Sequence, residues 1–247
     1  MEEHYSHILL QGAASMKALL NGPVSGSVGW SCPSNIALIK YWGKRAVQLP
    51  MNPSLSMTLQ VARTITRVRY DYDPNSTTPA LIFRFEGRQA PAFADRISKY
   101  IRNLYPYLPL LEHTSLQIDS ENTFPHSSGI ASSASAMGAL ALCLTQVQEE
   151  IAGSFISGDF YQKASFLARL GSGSACRSLF PNFSLWGYSE GWSGSSDEFA
   201  LPVTRFHQSF RDARDTILIV ESGEKKVSSR AGHALMESNP YATIRFS

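Results

Sequence analysis

The chain has 247 residues, 43% of them hydrophobic and 17% charged, with a formal net charge of +2 at pH 7. These values describe an ordinary globular chain, long enough for one large domain or two lobes sharing a core. They exclude a polyelectrolyte partner: the basic residues are scattered, so no nucleic-acid footprint is expected, and no apolar run reaches the length of a membrane span.

The opening, MEEHYSHILL, is acidic before it is apolar and does not read as a signal peptide. Three cysteines, Cys32, Cys143 and Cys176, are odd in number and far apart. Reduced thiols in a cytoplasmic protein fit better than a disulfide framework, and no Cys/His spacing suggests zinc. A short helix is predicted over residues 7–20, stopped by Asn21-Gly22-Pro23. Residues 24–42 read as strand, turn and strand around Pro33.

Within SNIALIKYWGKR (34–45), Lys40 and Lys44 flank Tyr41-Trp42-Gly43. Two cations and a phenol beside a glycine turn can grip a phosphorylated ligand; a surface strand with ordinary lysines is the plainer reading. In PMNPSLS (50–56), Asn52, Ser54 and Ser56 alternate and so share one face of an extended segment. Residues 55–72 alternate as a long strand or hairpin, with threonine and arginine expected on the wet face. The turn DPNSTTP (73–79) leads to a strand over 80–85, and together these suggest an antiparallel meander. Phe93, Ile97, Ile101 and Leu104 mark an amphipathic helix over 92–108, followed by a strand over 114–119.

The stretch ENTFPHSSGIASSASA (121–136) then joins a Pro, small hydroxylated residues and a glycine to an Ala-rich helical run over 131–144. A helix start leaves free N–H groups and partial positive charge, which attract anions. Ser127, Ser128, Gly129, Ser132 and Ser133 let a phosphate approach the backbone, and their hydroxyls can help hold a metal ion bound to it. A Ser-capped buried helix without ligand is the bland alternative. A helix with Phe160, Ala164 and Leu167 on one side stops at Gly171, where ARLGSGSACRS (168–178) begins. If residues 174–179 open a helix, Ser172, Ser174 and Arg177 make a second anion-friendly terminus. A strand is expected over 183–188, a Gly/Ser break between two lobes at 191–196 and a buried strand over 215–220. A loop entering a helix is expected over 224–240, with Ser228, Ser229 and Arg230 near its start.

SNIALIKYWGKR, the NPSLS segment, FPHSSGIASSAS and GSGSACRS, in this order, resemble diphosphomevalonate decarboxylases, a branch of the GHMP small-molecule kinase superfamily. The resemblance implies an α+β, two-lobed GHMP-kinase-like fold, with an N-terminal lobe at 1–190 and the start of a second lobe at 191–247. It implies ATP-dependent decarboxylation of mevalonate 5-diphosphate to isopentenyl diphosphate, with Mg²⁺, through phosphorylation of the C3 hydroxyl. Two polyanions must then sit close together, screened by cations and helix ends.

On this resemblance Lys44, Ser133 and Arg177 carry catalytic roles, and Tyr41, Lys44, Ser172, Ser174, Arg177 and Arg230 bind substrate. Ser127, Ser128, Gly129, Ser132 and Ser133 hold ATP, with Ser133 also at the metal; Lys40, Asn35 and His126 are weaker candidates. A homodimer is common in such a family. A related kinase, a phosphomevalonate decarboxylase and a non-catalytic nucleotide-binding remnant are the alternatives. The family's catalytic aspartate has no matching segment in residues 1–247, so Asp119, Asp159, Asp197, Asp212 and Asp215 receive no such role and a truncated chain is expected.

Overall fold

A computed structural model describes residues 5–16, 22–125, 130, 132–153, 159–218 and 239–241. Its sheet is built around one long strand, β4 (Ser54–Tyr72). Val68, Tyr70 and Tyr72 are buried while Arg67, Arg69 and Asp71 are exposed, the period-2 pattern of a sheet with one dry face. Threonine does not share the wet face with arginine as expected. Thr64 and Thr66 point inward, where Thr64 Oγ1 donates to Asn122 Oδ1 at 2.7 Å and the Thr66 and Ser120 hydroxyls pair at 3.0 Å. A buried hydroxyl is retained when such a partner is in reach.

The first strand, β1 (Val24–Ile39), runs antiparallel beside β4, from Val24 opposite Tyr72 to Ile39 opposite Leu55. The expected turn at Pro33 is instead a register irregularity between Pro33 and Asn35, with a second between Ala37 and Ile39. Among the described residues β1 pairs with β4 only, and a strand bonded on one side absorbs a proline at a bulge without losing a ladder bond. A small hairpin follows, β2 (Lys44–Arg45) with β3 (Leu49–Pro50).

The expected antiparallel meander does not form. The strand β5 (Leu81–Phe85) pairs in parallel with β7 (Thr114–Asn122), and β7 lies between β5 and β4. A parallel pair needs a crossover, and α2 (Pro91–Leu104) supplies it after the short β6 (Arg88–Gln89). The amphipathic spacing of α2 holds: Ile97, Ile101 and Leu104 are buried, joined by Tyr100.

The Ala-rich run becomes α3 (Ser132–Ile151), packed across β1 and β4. Small residues allow that close contact: a Cβ added to Gly138 would stand 2.5 Å from Cys32 Sγ, so this site takes only glycine without a shift. Against α3 packs α4 (Phe160–Gly171), with Phe160, Ala164 and Leu167 fully buried. The short β8 (Phe183–Trp186) pairs with the start of β4, and β9 (Ala200–Val203) pairs with β8. The Gly/Ser stretch 191–196 is therefore a connection inside one sheet. The N-terminal helix α1 (Tyr5–Met16) covers part of the range expected for it.

Residues 215–218 are not a buried strand: they have no regular secondary structure and are exposed, Leu218 by 83%. An apolar run becomes a strand only where a sheet edge is free to pair with it, and none reaches it among the described residues. Residues 219–220 and the helix expected over 224–240 lie outside the described residues, apart from 239–240. Among those described, no helix is long and apolar enough to cross a membrane, and no cluster of three His, Cys, Asp or Glu side chains stands together.

Candidate active site

The segment GSGSACRS folds as predicted into a short helix, but a tight one: a 3-10 turn over Gly173–Leu179. Its centre is Arg177, 2% exposed, whose Nη1 donates to Ser54 Oγ. Ser54 Oγ in turn donates to the Ile39 carbonyl at 2.6 Å, tying the guanidinium to the end of β1. The Arg177 guanidinium carbon lies 5.6 Å from the Tyr41 ring centre and 5.9 Å from that of Trp186. Those two rings meet edge-on, with centroids 4.9 Å apart. Burial lowers the Arg177 pKa, opposed by Cys176 and Tyr41, yet a guanidinium remains charged at neutral pH. Arg177 Nε is buried and has no hydrogen-bond partner among the described residues. A buried cation with a spare donor is costly unless an anion completes it.

The KYWGK segment is held against this cation by Asn52. Its Oδ1 accepts from Trp42 N at 2.9 Å, and its Nδ2 donates to the Lys40 and Pro53 carbonyls at 3.1 and 2.8 Å. Gly43 takes φ +76°, a conformation that side-chain-bearing residues avoid, and so turns the chain toward Lys44. Lys44 Nζ stands 5.8 Å from the Tyr41 ring centre. Burial raises the Tyr41 pKa, only partly offset by Arg177, so the phenol keeps its proton and can donate it in a hydrogen bond. Arg45 pairs with Asp197, and Lys40 is exposed.

On the other side of the site, Ser132 and Ser133 begin α3 at the rim of a cavity of about 250 Å³. Phe83, Phe85, Phe93, Ile97, Ile118 and Met137 give it an apolar wall, with Arg96 and Asn122 among its polar groups. An apolar chamber opening beside a long helix's N-terminus suits a ligand with a flat apolar end and an anionic end. The nucleotide expected here fits this arrangement. For the metal, Ser133 offers one hydroxyl and no carboxylate cluster stands nearby among the described residues. That set suits Mg²⁺ carried mainly by phosphates and water.

Adjacent residues of β1 bring the two sides together. Ser34 Oγ donates to the Ile130 carbonyl, just before α3, and Asn35 Nδ2 donates to Ser174 O at 3.1 Å and Ser178 Oγ at 2.7 Å. Residues more than forty positions apart in the chain are thereby tethered to neighbours on one strand. Tyr41, Lys44, Ser172, Ser174 and Arg177 gather on one side, Ser132 and Ser133 on the other. Ser127, Ser128, Gly129, His126 and Arg230, all expected at the site, lie outside the described residues.

Sequence reasoning gave Asn35 too little weight and passed over Trp186 entirely. The signal for Trp186 was its position as an alternate residue of a short apolar strand that follows directly after Arg177. Ser54 was recognised as facing one way with Asn52 and Ser56, but not as a partner of the arginine. Of the aspartates, Asp119 pairs with Arg84 at 3.5 Å, Asp197 pairs with Arg45 and accepts from Tyr188 N at 2.7 Å, and Asp212 and Asp215 are exposed.

Residues 32–200 match the family described as the diphosphomevalonate decarboxylase-like N-terminal domain. Diphosphomevalonate decarboxylase ERG19 of Gibberella zeae is 34% identical over 216 residues, covering 82% of this chain and 53% of its own. The diphosphomevalonate decarboxylase of Schizosaccharomyces pombe is 36% identical over 217 residues, with 82% and 52% covered. Among solved structures, mevalonate diphosphate decarboxylase from Staphylococcus aureus superposes with a TM-score of 0.70 at 31% identity, over 90% of this chain and 63% of that one. The protein MDDEF, in complex with MVAPP, AMPPCP and magnesium, gives 0.66 at 30% identity, over 91% and 64%. The chain spans about half the length of the curated relatives it matches. Its mixed sheet and helices are those of the GHMP-kinase-like α+β fold, and the chain belongs to the diphosphomevalonate decarboxylase-like family.

Proposed function

We propose that this chain serves the ATP-dependent decarboxylation of mevalonate 5-diphosphate to isopentenyl diphosphate, with release of ADP, phosphate and CO₂. The observation that carries the reading is Arg177, a buried guanidinium with an unpartnered Nε, walled by Tyr41 and Trp186 and flanked by Ser172 and Ser174. It is supported by the relatives' names and by MDDEF, whose complex contains MVAPP, AMPPCP and magnesium.

In this reading Ser172, Ser174 and Arg177 hold the anionic ends of the substrate, and Tyr41 and Lys44 close over it. ATP with Mg²⁺ supplies the phosphoryl group that turns the C3 hydroxyl into a leaving group. Ser132 and Ser133, at the positive end of α3, orient the nucleotide phosphates, with Ser133 also toward the metal. The cavity behind them takes the base. The fixed charge of Arg177 matters most when the C3 phosphate departs with its bonding pair: the anions that Arg177 holds stabilise the positive centre developing at C3 without reorganising, and the carboxylate's bonding pair then quenches it as CO₂ leaves. Arg230 is proposed as a further diphosphate ligand.

We read residues 1–190 as the N-terminal lobe and the following residues as leading into a second one, with β9 extending the first sheet to Val203. A homodimer in the cytoplasm completes the proposal; the buried free thiols Cys32, Cys143 and Cys176 suit a reducing compartment.

The test is ATP-dependent CO₂ release with mevalonate 5-diphosphate and mevalonate 5-phosphate offered side by side. CO₂ from the diphosphate alone is the expected result. CO₂ from the monophosphate alone moves the substrate, ADP without CO₂ indicates a kinase, and neither product removes the catalytic reading.

A further inference from the structure

Three of the buried polar atoms that lack a hydrogen-bond partner among the described residues surround the loop ahead of Arg177: Arg177 Nε, Asn35 Oδ1 and Gln48 Oε1. Arg177 and Asn35 already belong to the site. Gln48 does not, and nothing about a surface hairpin explains its placement. It sits between β2 and β3 with φ +59°, two residues after Ala46 at φ +44°. Left-handed backbone is unfavourable for a residue with a Cβ, and turns that need it normally recruit Gly or Asn.

The turn is clamped from below. Arg169 is buried, and its Nη1 donates to the Val47 carbonyl while its Nε donates to Glu198 O at 2.7 Å. Gln48 N donates to Ala46 O at 3.1 Å. The clamp directs the Gln48 amide away from solvent and onto the backbone of Gly173: a Cβ added there would lie 3.3 Å from Gln48 Oε1 and 2.9 Å from the Trp186 ring. A strained turn, a buried cationic anchor and an orphaned amide thus converge where Ser172 and Ser174 flank a glycine. Strain of this kind persists where the surroundings over-determine it, and such places are enriched in ligand clamps.

We propose that Gln48 is a further binding residue of this site, donating its side-chain amide N–H to an anionic oxygen of the substrate diphosphate held by Ser172 and Ser174. Half a turn about the terminal side-chain bond replaces the orphaned oxygen with NH₂, a donor. The missing partner is then the ligand. Because glutamine is neutral, it adds a directed hydrogen bond where a further cation would over-stabilise the product diphosphate. The proposal rests on the reading of this loop as the diphosphate side of the site.

The experiment titrates mevalonate 5-diphosphate and inorganic pyrophosphate onto the wild-type protein and onto Q48M, Q48E, Q48K and R177Q. ATP affinity and thermal unfolding are measured in parallel. Q48M should weaken both ligands ~3- to 10-fold, the net worth of one hydrogen bond. Q48E should weaken them by at least ~30-fold through like-charge repulsion at close range, and Q48K should bind as well as wild type or better. ATP affinity should stay constant across the Gln48 series. Wild-type binding in Q48M, or Q48K as weak as Q48E, would overturn the role of Gln48 and leave a packing wedge. If R177Q also binds like wild type, or wild type binds neither ligand, the diphosphate reading itself falls and Gln48 falls with it. Should Q48E fail to fold, the contrast between Q48M and Q48K decides.

Discussion

The two sides of the site are built on opposite physical plans. Around Arg177 the polar groups are buried, short of water and locked by Ser54, Asn35, Asn52 and the Tyr41–Trp186 pair. At the start of α3 the polar groups are two serines, one partly and one fully open, at the rim of an apolar cavity. A fixed anion is recognised by charge held in advance, because reorganising dipoles when the ligand arrives would consume the interaction. A nucleotide base is recognised by area, so its chamber needs shape and little charge. One side selects, the other accommodates.

That contrast can be broken most sharply at the locked side. Arg177→Gln should lower kcat/KM on the order of 10²- to 10³-fold, the scale for removing a preorganised charge. Its melting temperature should stay close to wild type, because the aromatic wall persists and a buried charge is relieved. Kinetics and thermal denaturation together check this; a parallel collapse of both would make Arg177 structural.

On the open side, Ala136→Phe fills the cavity and should raise KM for ATP roughly tenfold while leaving affinity for mevalonate 5-diphosphate unchanged. Steady-state kinetics with each substrate varied in turn would show it, and an equal rise in both constants would erase the division. Ser133→Ala should act more gently, slowing kcat several-fold, on the order of one or two lost hydrogen bonds, with less change in ATP affinity. Equal loss in both, or in neither, would argue against a role at the transferred phosphate.

The smallest effect concerns pH. Burial pushes the thiols of Cys176, beside Arg177, and Cys143, within α3, up to about 12. An unfolded thiol ionises near pH ~8.5. Between those values the unfolded chain binds fewer protons than the folded one, so stability falls as pH rises. Denaturant midpoints should be flat near neutrality and decline above about pH 9. Cys176→Ala should remove part of that decline; an unchanged alkaline limb would separate the thiol from it.

Much of the fold was legible because it is local. Period-2 alternation found β4, i/i+4 spacing found α2, and the Ala-rich run found α3, since each pattern states which face is dry whatever lies across from it. The errors came where an element depends on a distant partner. Pro33 signalled a turn but became a bulge because β4 runs the whole length beside it. Residues 80–85 promised a meander, yet pair with β7 through the α2 crossover. Residues 215–218 have strand composition without a strand to join.

The site divides in the same way. Residue types and order alone offered Tyr41, Lys44, Ser172, Ser174 and Arg177 as groups able to meet an anion, and Ser132 and Ser133 as a helix start, because donors, cations and helix starts are properties of the chain itself. Only the tertiary structure decided that Ser34 and Asn35 tether the two loops to adjacent positions of one strand, that Arg177 is sealed between Tyr41 and Trp186, and that Gln48 is turned inward beneath Gly173. Those are long-range contacts, fixed by sheet register and by the close approach of α3 to β1, and neither is written in any local pattern of residues.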